Sequence, residues 1–260
     1  MPNSSATILT YHKVDTKAEL GVTRITPEKF RRQMELLISE GFEPISPYQL
    51  VDHLTSGKPL PERSVLVTFD DGYECVYRFA YPILKSLGIS ATVFLISGFL
   101  GRENLWDARI CGRFRHLSAD QAVEMAGEGF HFGSHGISHV FLDAAPKSVA
   151  AAEVGLSRRS LIQRLGVPID FFSYPYGCWN EAVRKEVERA GYRAAFTSDP
   201  FIPLSPDNLF SLPRISIYSF DTDLSFRAKL GLEGELMRWA ALKLNVLVGL
   251  CSRANRLRRM

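Results

Sequence analysis

The chain has 260 residues, 46% of them hydrophobic and 23% charged, with a formal net charge of +3. Such a composition belongs to a globular protein of one α/β domain or two small ones, and excludes disordered, collagen-like and membrane-embedded classes. Four arginines (Arg253, Arg256, Arg258 and Arg259) fall in the last eight residues, so the mild basicity is local and gives no nucleic-acid-binding surface.

Residues 1–7 carry no basic n-region and no long apolar stretch, so no signal peptide is expected. Cys75, Cys111, Cys178 and Cys251 are widely spaced and form neither a CxxC pair nor a disulfide framework. Both features favour a cytoplasmic chain. The first strand is expected over residues 6–12, ending at His12. Thr26-Pro27-Glu28 opens a helix with a capping hydroxyl, a proline suited to the first turn and a carboxylate suited to the dipole. Phe30, Met34, Leu37 and Ile38 give it an apolar face, and Gly41 stops it. A second short helix starts at Ser46-Pro47 and ends at Gly57.

Ser64-Val65-Leu66-Val67 then reads as a buried strand, closed by Thr68-Phe69-Asp70-Asp71-Gly72. Two adjacent carboxylates at the carboxyl end of a parallel strand lie where α/β proteins place their chemistry. Burying them together is costly without a cation, which points to a metal ion. A helix is expected from Tyr77 to Leu87 with Pro82 inside it as a kink point. Strand 90–96 follows, then an irregular stretch over 98–117 with Trp106 and His116, a helix over 118–128 and a short strand to Ser134. His135-Gly136-Ile137-Ser138-His139 places two imidazoles at i and i+4, a common way of giving one metal two nitrogens. Helix 146–165, strand 169–174, helix 180–190, strand 193–197, a last strand from Leu209 to Ile217 and a helix from about 222 complete the alternation. Such alternation argues a parallel sheet, open or closed into a barrel.

An Asp with two His leaves an open coordination position for water, the layout of a catalytic metal site. The Asp70-Asp71 motif, the His135–His139 motif and Phe172-Ser173-Tyr174-Pro175-Tyr176-Gly177 occur in order, each closing an expected strand. Together they resemble the NodB-homology polysaccharide deacetylases, carbohydrate esterase family 4, over about residues 6–230. The Tyr11-His12 start is closest in pattern to the poly-N-acetylglucosamine deacetylases of that family. The resemblance implies a distorted (β/α) barrel and a divalent metal, usually zinc with cobalt or nickel as substitutes. It also implies removal of an N-acetyl group from an amino sugar in a polysaccharide, oligosaccharide or lipid-linked glycan. By position, Asp71, His135 and His139 would hold the metal, Asp70 would be the general base, and Tyr176 would line the groove and offer a backbone N–H to the oxyanion.

The sequence departs from the common family pattern twice. No histidine follows His139, so the general acid that many relatives take from a late Leu-x-His motif is assigned to His12. Ser173 stands where many relatives have an arginine that pairs with the base; Arg214 is the replacement expected to reach Asp70 from the last strand. Tyr174, Trp179 and Trp106 are candidate sugar-stacking residues. His131 is expected to be structural, and His53 and His116 solvated. Two other readings stay open: a non-catalytic carbohydrate-binding relative, and a deacylase or deformylase acting on another N-acyl sugar. The domain organisation expected is a deacetylase-like unit over 1–231 and a helical, basic extension over 232–260. Residues 236–260 are apolar and basic enough to contact a membrane surface peripherally, placing the chain at an inner membrane face, or to pack on the barrel or on a second copy. The oligomeric state is not fixed by the sequence.

Overall fold

Capping chemistry sets the helix starts. Thr26 accepts from the Lys29 N–H ahead of the helix Pro27–Ser39, and Ser46 forms a reciprocal capping box with Gln49 ahead of Pro47–Ser56. Ser118 does the same with Gln121 at the start of Ala119–Gly127. The computed structural model describes residues 6–19, 21–104 and 112–254. Its strands are β1 (Thr7–Tyr11), β2 (Lys13–Val14), β3 (Arg24–Ile25), β4 (Glu43–Pro44), β5 (Ser64–Phe69), β6 (Thr92–Leu95), β7 (His131–Ser134), β8 (Phe171–Ser173), β9 (Ala194–Phe196) and β10 (Ile215–Ser216).

Eight of these strands form one parallel sheet in the order β10-β1-β5-β6-β7-β8-β9, with β4 beside the start of β5. The sheet curls into a half-barrel with helices outside it. Alternation along the strands divides the core. Leu9, Val67, Val93, Leu95 and Phe172 belong to a large apolar cluster with the helices, whereas Ile8, Leu66, Phe94, Phe171 and Phe196 form a second cluster with Leu50 and Val51. The short pair β2–β3 stands apart from the sheet.

Two sequence expectations change in detail. Pro82 does not kink a single helix; a π-helical turn over Val76–Ala80 precedes the α-helix Tyr81–Ser86, which absorbs the N–H that proline lacks. The expected strand from Leu209 to Ile217 is only Ile215–Ser216. Leu212 pairs with Phe196 of β9 through a single bridge, and Ile215 and Ser216 then pair with β1. The segment thus crosses the opening of the curl, with Pro213 between its two attachments offering no N–H for a continuous ladder. After the helix Asp223–Lys229, the chain ends its described part in the helix Glu235–Ala254, which packs on its neighbour through Leu242 and donates from Asn245 Nδ2 to the Ser216 carbonyl.

Candidate active site

Asp70 and Asp71 follow β5 directly, His135 follows β7, Tyr176 lies just past β8, and His12 follows β1. All sit at the carboxyl end of the curled sheet. Thr68 and Asp70 share a face with Leu66, so the Asp70 carboxylate points into the curl. Arg214 immediately precedes β10, and the register Leu9↔Ile215 places its backbone below the carboxyl edge. Its long side chain reaches up between Phe94 and Phe196.

There the guanidinium makes a bidentate fork with Asp70, Nη1 to Oδ1 at 2.8 Å and Nη2 to Oδ2 at 2.6 Å. Nη2 also donates to Ser173 Oγ at 2.8 Å, Nη1 to Thr68 Oγ1 at 3.3 Å, and Nε to the Thr197 carbonyl at 3.0 Å. Arg214 is wholly buried, and every bond it makes fixes its direction. Ser173 is small enough to admit the guanidinium and polar enough to accept from it. Burial alone would raise the Asp70 carboxyl; Arg214, followed by His135 and His12, overcomes that and pulls it down to about 2.

Asp71, His135 and His139 are all buried, and one ligand atom from each lies within 4.8 Å of the others. Asp71 Oδ1 is 3.2 Å from His139 Nε2 and 3.5 Å from His135 Nε2. His135 Nδ1 lies 2.7 Å from the Ser173 carbonyl, which can only accept, so Nδ1 carries the proton and Nε2 keeps its lone pair. Burial pushes the His135 imidazolium down to about 4, which keeps the ring neutral. Asp71 Oδ1 is buried and takes no aligned hydrogen bond. For Asp71 burial acts upward, yet His139 leads the charges that hold the carboxyl well below the carboxylate range. A buried anionic oxygen without a donor, facing two imidazole nitrogens, fits a divalent cation in donor type and number.

The backbone is strained at the same place. Among the described residues only three non-glycine residues have positive φ: Asp71 (68°), His139 (58°) and Tyr176 (59°). Gly72 follows Asp71 at φ 65°, and a Cβ there would stand 2.6 Å from Leu95 Cδ2. Tyr176 stacks on Phe141 and borders His139, with ring centroids at 3.9 and 4.4 Å.

Two residues at the site have no local sequence signal. Glu153, buried in the helix Lys147–Leu165, accepts from the N–H groups of Ile137 (2.6 Å) and Ser138 (3.0 Å) and from the Ser138 hydroxyl. It thereby holds the loop between His135 and His139. His116, expected in solvent, is buried instead. Its ring stacks on Tyr73, and its Nδ1 donates to the Asp71 carbonyl at 2.8 Å, leaving Nε2 buried and without a hydrogen bond. Burial lowers its pKa. An antiparallel bridge between Tyr73 and His116 explains the placement, a pairing across 43 residues that no local pattern announces.

Of the other expected residues, Tyr174 is corrected. It is fully buried and donates its hydroxyl to the Phe210 carbonyl, so it is a packing residue and not a sugar platform. Trp179 is half-buried and stacks on Tyr174. His12 is half-buried, with Nδ1 enclosed and lacking a hydrogen bond, and its charge acts on both Asp70 and Asp71. His131 packs edge-on to Tyr48. Trp106 lies outside the described residues.

Comparison with known proteins points to one family. The polysaccharide deacetylase family profile matches residues 57–195. The chain is 30% identical over 210 residues to the putative polysaccharide deacetylase YxkH of Bacillus subtilis, covering 81% of this chain and 70% of that one. It is 28% identical to the poly-β-1,6-N-acetyl-D-glucosamine N-deacetylase of Staphylococcus epidermidis, covering 82% and 79% of the two chains. The solved structure of IcaB from Ammonifex degensii superposes with a TM-score of 0.75 at 26% identity, over 88% of this chain and 97% of that one.

Proposed function

Because this chain belongs to the polysaccharide deacetylase family, a family of hydrolases, we propose that it removes N-acetyl groups from an amino sugar with a divalent metal held by Asp71, His135 and His139. The observation that supports this most is the buried Asp71 Oδ1, undonated and facing two imidazole nitrogens, beside a second carboxylate that Arg214 keeps charged. Zinc is the metal proposed, with cobalt or nickel able to replace it. The Staphylococcus epidermidis relative is named for poly-β-1,6-N-acetyl-D-glucosamine; by that likeness the substrate is an N-acetylglucosamine glycan, polymeric, oligomeric or lipid-linked.

When bound, the cation supplies Lewis acidity, polarising the amide carbonyl and lowering the pKa of water to about 7. Asp70 accepts the proton from the attacking water as its oxygen bonds to the carbonyl carbon. With its own pKa near 2, Asp70 is a weak base. Its advantage is position: the Arg214 fork fixes both carboxylate oxygens and keeps the group ionised. The Tyr176 backbone N–H, set by its left-handed conformation, stabilises the oxyanion. His12 gives a proton to the leaving nitrogen as the C–N bond breaks, so acetate and a free amine leave. Glu153 and His116 are positioning residues: the first fixes the histidine loop and the second fixes the Asp71 backbone.

The test is acetate release from N-acetylglucosamine oligomers, alongside N-formyl and longer N-acyl analogues. Release of acetate, abolished by chelation and restored by zinc, is expected. Metal-free turnover at the full rate would overturn the metal assignment, and binding of the oligomers without any acyl release would overturn the hydrolase itself.

A further inference from the structure

The helix Glu235–Ala254 has one side turned to the protein and, opposite it, an apolar side left exposed. Arg238, Leu242 and Asn245, at i, i+4 and i+7, form the side turned to the protein. The opposite side presents Leu236 (79% exposed), Met237, Leu244 and Leu247 (58%), with Trp239 at its margin. Five of the fourteen exposed large hydrophobic side chains among the described residues thus lie on this one helix, a concentration that solvent alone does not favour.

Charge indicates the occupant. From Leu236 to Met260 the sequence has six basic residues (Arg238, Lys243, Arg253, Arg256, Arg258 and Arg259) and no acidic one. A second copy docked through this helix would bring two such segments of the same sign together. An anionic lipid surface accepts both the apolar face and the positive charge. No helix among the described residues is long and apolar enough to cross a membrane, so the helix would lie along the surface. Lys243 sits over the rings of Trp239 and Phe201, each about half exposed. Its aliphatic stem can remain with the apolar side chains while its ammonium group reaches phosphate.

The helix also packs against the Pro175–Gly177 turn that carries Tyr176, and against β10. The helix therefore lies beside the carboxyl rim of the sheet. We propose that this helix docks the protein on anionic membrane surfaces, with the site rim beside the lipid headgroups. The docking is independent of the hydrolytic reading; only the consequence that lipid-linked glycans are the favoured substrates rests on it.

The experiment is flotation of the full chain with phosphatidylcholine vesicles, with and without phosphatidylglycerol, at low and high salt. Two variants are compared, Leu244→Glu/Leu247→Glu and Arg256→Glu/Arg258→Glu/Arg259→Glu, with thermal unfolding midpoints matching the wild type to show that they fold. The wild type is expected to float only with anionic vesicles and to be released by salt. Reversing the three arginines should weaken binding by at least about a hundredfold, and the two glutamates should abolish it. Failure of the wild type to float, or unchanged flotation of the Leu244→Glu/Leu247→Glu variant, would overturn the proposal. So would a dimer in sedimentation that this variant dissolves, because the face would then be a contact between copies. None of these readouts depends on acetate release.

Discussion

Among the described residues three ion pairs are almost wholly enclosed, Lys13–Glu19, Lys229–Asp221 and Arg214–Asp70, and only the last belongs to the candidate site. Around the Lys229–Asp221 pair every oxygen is served: Asp221 Oδ2 accepts from Lys229 and from the Tyr218 N–H, Oδ1 accepts from Ser225, and Lys229 also donates to the Ser216 carbonyl. The Arg214–Asp70 pair adjoins Asp71, whose Oδ1 has no donor. Burial of charge therefore does not distinguish a reactive centre from a clamp; at the candidate site the difference is an anionic oxygen that faces two imidazole nitrogens. Protonation behaviour separates the pairs too. Arg214 leads the charges that overcome burial at Asp70, whereas burial prevails at Lys229 and lowers its pKa.

The comparison can be broken most directly at the carboxylates. Asp71→Asn should remove stoichiometric metal, read by elemental analysis, together with turnover. Asp70→Asn should keep the metal and lower kcat by about 10²–10⁴-fold, the usual worth of a positioned general base. Arg214→Ala strands a buried carboxylate, so a loss of about 3–5 kcal/mol of stability is expected with a large fall in kcat. Arg214→Lys should not restore the rate, because an ammonium cannot reproduce the fork.

Lys229→Met should cost stability of the same order, about 3–5 kcal/mol, while kcat per folded molecule is unchanged. Adding Asp221→Asn should recover much of that loss, as a double-mutant cycle would measure. A matching recovery of activity in Arg214→Ala/Asp70→Asn would erase the distinction between the pairs. Glu153→Gln is a smaller perturbation. The amide can still accept from the loop, and metal affinity should weaken about 10–100-fold, as for outer-shell partners generally.

The smallest effect concerns the helix that carries Glu153. Tyr192 donates to the Val154 carbonyl, and burial pushes its hydroxyl up to about 12. Its folded pKa is above the unfolded value near 10, so its contribution to stability is complete below pH 10 and lost as pH rises toward 12. Chemical denaturation across that window should show a loss on the order of 2 kcal/mol at most, which Tyr192→Phe would remove.

Much of the frame was readable because its signals are local. Thr26, Ser46 and Ser118 announce helix starts within three residues, and the apolar, β-branched run from Ser64 marks a buried strand with Asp70 at its end. The metal-ligand candidates were readable for the same reason: each motif is a strand end with its ligands attached. Glu153 and His116 were not, since their partners lie 15–16 and 45 residues away and neither sits in a motif. Tyr174 misled because aromatic character says nothing of direction: on leaving β8 its ring turns into the core, while Tyr176, two residues on, borders His139. Arg214 was readable only as a deficit, an arginine absent at Ser173 that had to come from elsewhere. The start of β10 was obscured because apolar residues recur from Leu209 to Ile217, while the chain crosses from β9 to β1 at Pro213.

The crossing has a consequence for biosynthesis. Asp70 emerges from the ribosome long before its counter-ion, since 143 residues separate it from Arg214. Until that arginine arrives, the half-formed curl has a carboxylate with nothing to neutralise it, and closing around it is unfavourable. Competence is thus withheld from the nascent chain and granted only when nearly all of it has been made, so a translation product cut short before residue 214 is expected to hold its catalytic pocket open and inert.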